Sequence, residues 1–443
     1  MRYPPSKSGK KAAAPAASIP GIPDEVMRRG DYLSRDEALA VLAIKPQTLY
    51  SYVSRGFIRS VPHPDGRSSF YLREDVNKVR LRSIARAGQG PVAAGAMRWG
   101  EPVILTAITE MTDAGPRYRD RLAIDLARAR APFENVAELL WTGEYSDEPL
   151  IWQQTPDPPG LRNLLSAGAK LHTSPHILQM MALTVLGMGV AEGNRRDRIR
   201  AGDTPVASAR RLIRALTGTL GFLGKAGGYT ALRDGQTIAE GIAAALGMDA
   251  SAPQLDALNG ALVLVADHEL NPATFAARVA ASGSVDLQSG VGAAICTHYG
   301  TLIGRACDRI EQLFEPPADP DTVLDRATSM IAAARSLPGF NHPHYPNGDP
   351  RARVLIELAI MTGGSRRVVG NMLMSLRRLE EECGARPGVE CGLVLLCRAL
   401  GMPNQSAAGV YALGRTAGWV AHILEQRLAG FVIRPRAKFA GAD

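Results

Sequence analysis

One irregular stretch carries the side chains best suited to chemistry. It runs Ser336-Leu337-Pro338-Gly339-Phe340-Asn341-His342-Pro343-His344-Tyr345-Pro346-Asn347-Gly348-Asp349-Pro350-Arg351. Four prolines, two glycines and the Asn347-Gly348 pair exclude a regular helix there. Helical runs flank it on both sides. An irregular segment holding His342 and Arg351 inside a helical chain points to a ligand site. Arginine would bring a planar fork that takes a carboxylate through two hydrogen bonds. On composition alone, a surface loop with incidental polar residues fits equally well.

The elements that must hold this loop are helices. The chain has 443 residues, 46% hydrophobic and only 5% aromatic, which suits close-packed helices rich in Ala, Leu and Gly. The length allows two or three domains with real cores. The net charge of +8 is confined to residues 1–90, which hold 16 Lys/Arg against 8 Asp/Glu; the remaining 353 residues hold 35 of each. That asymmetry points to an anionic partner near the N-terminus, nucleic acid first, with a solvated basic tail as the alternative. Cys296, Cys307, Cys383, Cys391 and Cys397 show neither CxxC pairing nor metal-ligand spacing. They read as reduced, mostly buried thiols of a cytoplasmic protein, and no metal site is expected. There is no signal-peptide pattern, and the longest apolar run, Met180–Val190, is too short to span a bilayer, so no membrane partner is expected.

Residues 1–30, rich in Pro, Ala, Ser and Lys, read as a disordered basic tail. Ser34 with Glu37 three residues on forms a capping box, and Ala38, Leu39 and Leu42 give the buried face of a short helix. Pro46 suits the first position of a second helix, with Leu49, Tyr50 and Val53 as its buried side and Gly56 as its stop. Phe57–Val61 and Ser68–Leu72 are strand-like runs around a Pro64-Asp65-Gly66 turn. Two short helices followed by a hairpin resemble a MerR-like winged helix-turn-helix domain over residues 31–86. The resemblance implies DNA binding, with Gln47, Thr48, Ser51, Tyr52 and Arg55 facing the major groove and Arg59 and Arg67 meeting phosphates. Similar helix pairs also serve as protein-interaction modules. A Gly/Ala-rich linker, 87–99, follows.

From Pro102 onward the pattern is helix after helix. The one strand expected lies around Val103–Thr106, with a partner near the C-terminus. The loop that opened this section resembles the "PGFGH…DPR" loop of citrate synthases. Arg117–Glu144 resembles the family segment in which an early hairpin leads into "FEEVAYLLLYGE", and "ALGRTAGWVAHILEQ" (Ala412–Gln426) is a close match to another. The resemblance covers residues 100–443. It implies a mostly α, two-domain fold, with a large domain at 100–302 and 402–443 and a small one at 303–401.

Citrate synthases condense oxaloacetate with acetyl-CoA, and their motifs imply roles here. His268, in "VADHELN", would bind oxaloacetate; His342 would hydrogen-bond its carbonyl; Arg351 and Arg415 would take its carboxylates. Arg434, in "IRPRAKFAG", would reach the partner subunit's site in a homodimer. Asn341 stands where the family has Gly. Two departures fall on the chemistry. Ile303 replaces the catalytic His, and Glu390 replaces the catalytic Asp, one methylene longer. Pro346 replaces the basic residue that meets CoA phosphate. His298 is not expected to stand in for position 303, because five helical residues would turn it about 140° away.

A lost general acid costs about 10²–10⁴ and a misplacement of about 1 Å about a hundredfold. The expectation is therefore a citrate-synthase fold that binds oxaloacetate or a related di- or tricarboxylate, with lost or weak condensation activity, reused as a metabolite-responsive DNA-binding regulator. The alternatives are a citrate or 2-methylcitrate synthase with Glu390 as base, and an inactive partner of a true synthase. No cofactor is implied; acetyl-CoA enters as co-substrate only if the protein is active.

Overall fold

The computed structural model describes residues 32–42, 44–54, 57–62, 69–73, 75–77, 79, 104–154, 156–192, 204–300, 304–316, 318–334, 336–362 and 366–435. The chain divides into two compact units, 1–105 with 436–443, and 106–435.

The first unit contains β1 (Tyr32–Leu33), α1 (Arg35–Leu42), α2 (Pro46–Ser54), β2 (Ser60–Pro62) and β3 (Ser69–Leu72). The capping box closes as expected: the Glu37 N–H donates to Ser34 Oγ at 3.3 Å and the Ser34 N–H to Glu37 Oε2 at 2.8 Å. Strand β3 lies between β1 and β2, antiparallel to both, with Leu72 opposite Tyr32 and Phe70 opposite Val61. Leu33, Ala38, Leu42, Leu49, Ile58, Tyr71, Val76 and Val79 form the core. Tyr50 departs from expectation and is 50% exposed. One residue is about 100° on a helix, so burying Leu49 turns its neighbour outward. Tyr52 rests partly on the core and meets Phe57 edge-on at 6.3 Å.

The second unit opens with β4 (Thr109–Thr112), β5 (Gly115–Tyr118) and β6 (Arg121–Leu122). Helices follow: α3 (Ala123–Arg128), α4 (Phe133–Thr142), α5 (Leu161–Ala169), α6 (Ile177–Glu192), α7 (Pro205–Thr219), α8 (Ile238–Leu246), α9 (Ala252–Leu264), α10 (Pro272–Ser282) and α11 (Leu287–His298). Then come α12 (Ala306–Leu313), α13 (Pro320–Ala334), α14 (Pro350–Met361), α15 (Arg366–Cys383), α16 (Val389–Ala399) and α17 (Ser406–Ala429). The strand expected near 103–106 forms later, and its partner is the next strand rather than the C-terminus: Thr112 pairs with Gly115. Gly115 has φ of 117°, which glycine adopts freely, so the chain turns back on itself at Asp113 and Ala114.

Helix α17 is the axis of this unit. It is buried from Ser406 to Ile423, and α4, α6, α7, α9, α10, α11, α12 and α16 all pack against it. Two glycines one turn apart, Gly414 and Gly418, bring the 262–267 chain directly onto its surface. A Cβ at Gly414 would press on Val265 and the Leu262 carbonyl; one at Gly418 would collide with the Asp267 carboxylate and the Ala266 carbonyl. The Gly418 N–H donates to Ala266 O at 2.9 Å. Farther along, α14 packs on α16 and α13 on α15. Among the described residues no helix is long and apolar enough to cross a membrane.

Candidate functional site

Asp349 caps α14, with Pro350 at the first helical position and the Arg351 N–H donating to Asp349 Oδ1 at 2.9 Å. The same carboxylate holds the Arg351 guanidinium, Nε to Oδ1 at 3.1 Å and Nη2 to Oδ2 at 2.7 Å. Both side chains are buried. Two of the three guanidinium nitrogens are thereby fixed, and Nη1 has no hydrogen-bond partner among the described residues.

Arg415 sits in the middle of α17, fully buried. Its Nη2 donates to the His268 carbonyl at 3.3 Å and its Nη1 lies 4.0 Å from Asp267 Oδ1; neither Nε nor Nη1 makes a hydrogen bond among the described residues. Asp267 is held in turn by His422, Nε2 to Oδ2 at 3.2 Å. Burial pushes the Asp267 carboxyl up, but His422 and Arg415 outweigh it and keep it below the ordinary range. The buried Tyr118 hydroxyl accepts from the Asp267 N–H at 3.2 Å and donates to Val263 O at 2.9 Å, fixing the chain before His268.

The proline-rich loop is stitched along the start of α16. The Asn341 N–H donates to Arg386 O and the Arg386 N–H to Asn341 Oδ1, both at 2.8 Å, and the Gly388 N–H donates to Gly339 O at 2.8 Å. Asn341 has φ of 55°, a left-handed conformation that asparagine tolerates; the family glycine is thus replaced by a residue that keeps the turn and adds a tie. Held this way, the loop sets the His342 ring 5.0 Å from the His268 ring, edge to face. Tyr345 stacks near both, at 5.9 Å from His268 and 5.3 Å from His342. Burial and the positive field of Arg351 push His268 well below the ordinary histidine range and His342 to about 4. Both rings are thereby held neutral, so each can offer an N–H without adding charge. His268 Nε2 has no hydrogen-bond partner among the described residues.

Glu390 lies in the first turn of α16, half-buried, beside Gly339 and Gly388. Gly339 (φ 79°) admits no side chain: a Cβ there would stand 2.3 Å from Ile310 Cδ1. Burial raises the Glu390 carboxyl above the ordinary range, against the pull of Arg351 and Arg415. The site therefore combines unpartnered cationic donors, neutral imidazoles and a carboxylate with raised proton affinity. Each buried donor left unpaired costs about 1–3 kcal/mol, so Arg351 Nη1, Arg415 Nε and Nη1, and His268 Nε2 together mark a place shaped for an oxygen-rich ligand.

The sequence-derived residues His268, His342, Arg351, Arg415 and Glu390 come together in one chain. Arg434 does not join them; it is exposed beyond α17. Ile303 lies outside the described residues, as do Arg55 and Arg67. Gln47 is exposed and Thr48 and Ser51 are half-buried. Arg59 is already engaged: Nε and Nη2 bind the Asp75 carboxylate at 2.8 and 3.0 Å, so a phosphate would compete with that pair. The placing of His298 is corrected. Helix α11 stops at His298 and the chain folds back, the Gly304 N–H donating to His298 O at 2.8 Å. No continuous helix separates position 298 from 303, so the 140° argument does not apply. A Cβ at Gly304 would lie 2.8 Å from His298 Nε2. The ring is fully buried, lacks hydrogen-bond partners at both nitrogens among the described residues, and is pushed down to about 3 by burial and Arg415.

Sequence reasoning missed Asp349, Asp267, Tyr345, Tyr411 and Arg386. Asp349 carried a signal, an Asp directly before a helix-opening proline. Arg386 did not: it stands in no motif, and its guanidinium donates to the Pro346 carbonyl. Among the described residues no cluster of His, Cys, Asp and Glu could hold a metal ion.

Residues 96–436 match the family "Citrate synthase, C-terminal domain". Citrate synthase 2 of Bacillus subtilis (strain 168) is 33% identical over 204 residues, 44% of this chain and 54% of that protein. The 2-methylcitrate synthase of Mycobacterium tuberculosis (strain ATCC 35801 / TMC 107 / Erdman) is 27% identical over 341 residues, 74% of this chain and 84% of that protein. A ternary complex of citrate synthase from Thermoplasma acidophilum with carboxymethyl coenzyme A and oxaloacetate has the same fold, with a TM-score of 0.68 and 23% identity over 80% of this chain and 97% of that one. The chain spans about half the length of the first curated relatives it matches. Since the family match covers most of its length, the chain belongs to the citrate synthase family.

Proposed function

We propose that residues 106–435 bind oxaloacetate or a close dicarboxylate and condense it with a short acyl-CoA thioester, as a citrate or 2-methylcitrate synthase does. The observation that carries this reading is the meeting of unpartnered donors on Arg351, Arg415 and His268 with the half-buried carboxylate of Glu390. The two guanidiniums would take the two carboxylates of the ligand. Neutral His342 would donate to its keto oxygen, and Glu390 would remove a proton from the acyl α-carbon. A raised carboxyl is a better base than an ordinary one, provided it stays ionised. Arg386, beside the Pro346 carbonyl, supplies a cation suited to CoA phosphate. Relatives named as citrate and 2-methylcitrate synthases favour turnover over binding alone.

Arg434 is proposed to complete the site of a second copy in a homodimer.

A second reading is binding without turnover, with the first unit acting on DNA. It rests on Ile303 at the family's catalytic histidine, on the helix pair α1–α2 ahead of β2 and β3, and on the basic charge of residues 1–90. One experiment separates the readings: calorimetry with oxaloacetate, alongside thiol release from acetyl-CoA and propionyl-CoA. Both readings expect oxaloacetate to bind. Only the enzyme reading expects thiol release above a buffer control.

A further inference from the structure

With isoleucine at position 303, the acyl side of the site lacks a donor for the thioester oxygen there. Isoleucine has no hydrogen to give. Proton removal from the acyl α-carbon moves negative charge onto that oxygen, and a donor aimed there is usually the largest single contribution to such a step. A replacement must be a donor-bearing side chain near Glu390 that no other group has already claimed.

Tyr411 meets these conditions. It lies four residues before Arg415 on α17, so the two side chains share one face of the helix. It is only 5% exposed. Its ring is held edge-on by His298, with centroids 5.0 Å apart and planes at 87°. The His298 ring, whose two nitrogens have no hydrogen-bond partner among the described residues, thus serves as the wall that fixes the tyrosine. The Tyr411 hydroxyl makes no hydrogen bond among the described residues. Helix α16, which carries Glu390 in its first turn, packs on α17, and the charges of Glu390, Arg415 and Arg351 all act on the hydroxyl. Burial and the Glu390 charge push its proton affinity up, so it stays protonated across the working pH range. Tyr345 is the rival donor, but it packs among His268, His342 and Arg351, at the dicarboxylate end.

We propose that the Tyr411 hydroxyl is the hydrogen-bond donor to the thioester oxygen of the acyl-CoA, in place of a side chain at position 303. The inference rests on the enzyme reading above. In the step concerned, the α-carbon C–H bond breaks and its proton forms an O–H bond on the Glu390 carboxylate. The electron pair moves into the enolate, whose oxygen accepts the hydrogen bond from Tyr411. The tyrosine keeps its proton, and no oxidant or further reactant is needed.

Tyr411→Phe removes the hydroxyl and little else. The test measures thiol release from acetyl-CoA and propionyl-CoA in the full-length protein, with oxaloacetate binding by calorimetry on the same samples. The expected result is a fall in kcat of about 10²-fold, the usual cost of one such donor, with oxaloacetate affinity within about twofold of the parent. Carboxymethyl coenzyme A, whose carboxylate mimics the enolate, should bind the variant more weakly than the parent. A Tyr411→Phe protein that turns over within about threefold of the parent overturns the assignment and leaves the enzyme reading standing. A parent protein that binds oxaloacetate yet releases no thiol overturns both. His298→Leu provides a second check: if the ring only holds Tyr411 in place, that variant should lower kcat while the Tyr411→Phe background masks its effect. Equal additional loss in both backgrounds contradicts that arrangement.

Discussion

At Asp349 one carboxylate both caps a helix and fixes a guanidinium, and the consequence is measurable. Arg351→Met should leave that carboxylate buried and uncompensated, at a cost of roughly 3–5 kcal/mol in the denaturation midpoint. It should also abolish the rise in melting temperature that oxaloacetate gives the parent by mass action. Glu390→Gln should act differently. It keeps the shape and removes the base, so turnover should drop about 10²–10⁴-fold while the oxaloacetate-dependent rise in melting temperature survives. The residues behind these predictions were unequally legible in the sequence. His268, His342, Arg351 and Arg415 stand in local motifs, and such motifs survive without knowledge of the fold. Tyr411 was hidden because an aromatic on an apolar helix has the pattern of a core residue. Only the meeting of α16 and α17 gives its hydroxyl a purpose.

At the scale of the element, α17 depends on glycines at close contacts. Alanine is the better helix former by about 1 kcal/mol, yet Gly418→Ala should destabilise the protein. Its Cβ would meet the Asp267 carboxylate and a backbone carbonyl, neither of which can move freely, and overpacking of this kind costs about 1–3 kcal/mol. Thermal melts measure the net sign, and calorimetry should show weaker oxaloacetate binding, since His268 follows Asp267. The end of α11 gives a pH prediction. Folded His298 is pushed down to about 3, whereas unfolded histidine protonates near 6.5. Below about pH 6.5 the unfolded state therefore binds the extra proton, and stability falls as pH falls from about 6.5 toward 3. His298→Leu should flatten that acid limb in melts between pH 7 and 4; an unchanged slope would contradict it. Capping boxes and helix-opening prolines were readable because they are set by a few neighbouring residues. The stop after His298 and the true position of β4 were not, because both depend on where the chain folds back.

At the scale of the whole molecule, two proposals remain separable from the chemistry. A dimer is expected if Arg434 serves a second copy, and light scattering at micromolar concentration measures it. DNA binding, if it resides in residues 1–90, should fall steeply between about 50 and 200 mM salt. Binding that ignores salt, or that persists without those residues, would contradict it. The central claim is that the joined residues of unit 106–435 carry out a condensation. Its most direct measurement is the initial rate of thiol release from acetyl-CoA or propionyl-CoA when oxaloacetate is added to the full-length protein. The account predicts release that requires both substrates and is lost in Glu390→Gln. Release no faster than buffer, from a protein whose melting temperature oxaloacetate still raises, would contradict it and leave a site that binds without reacting.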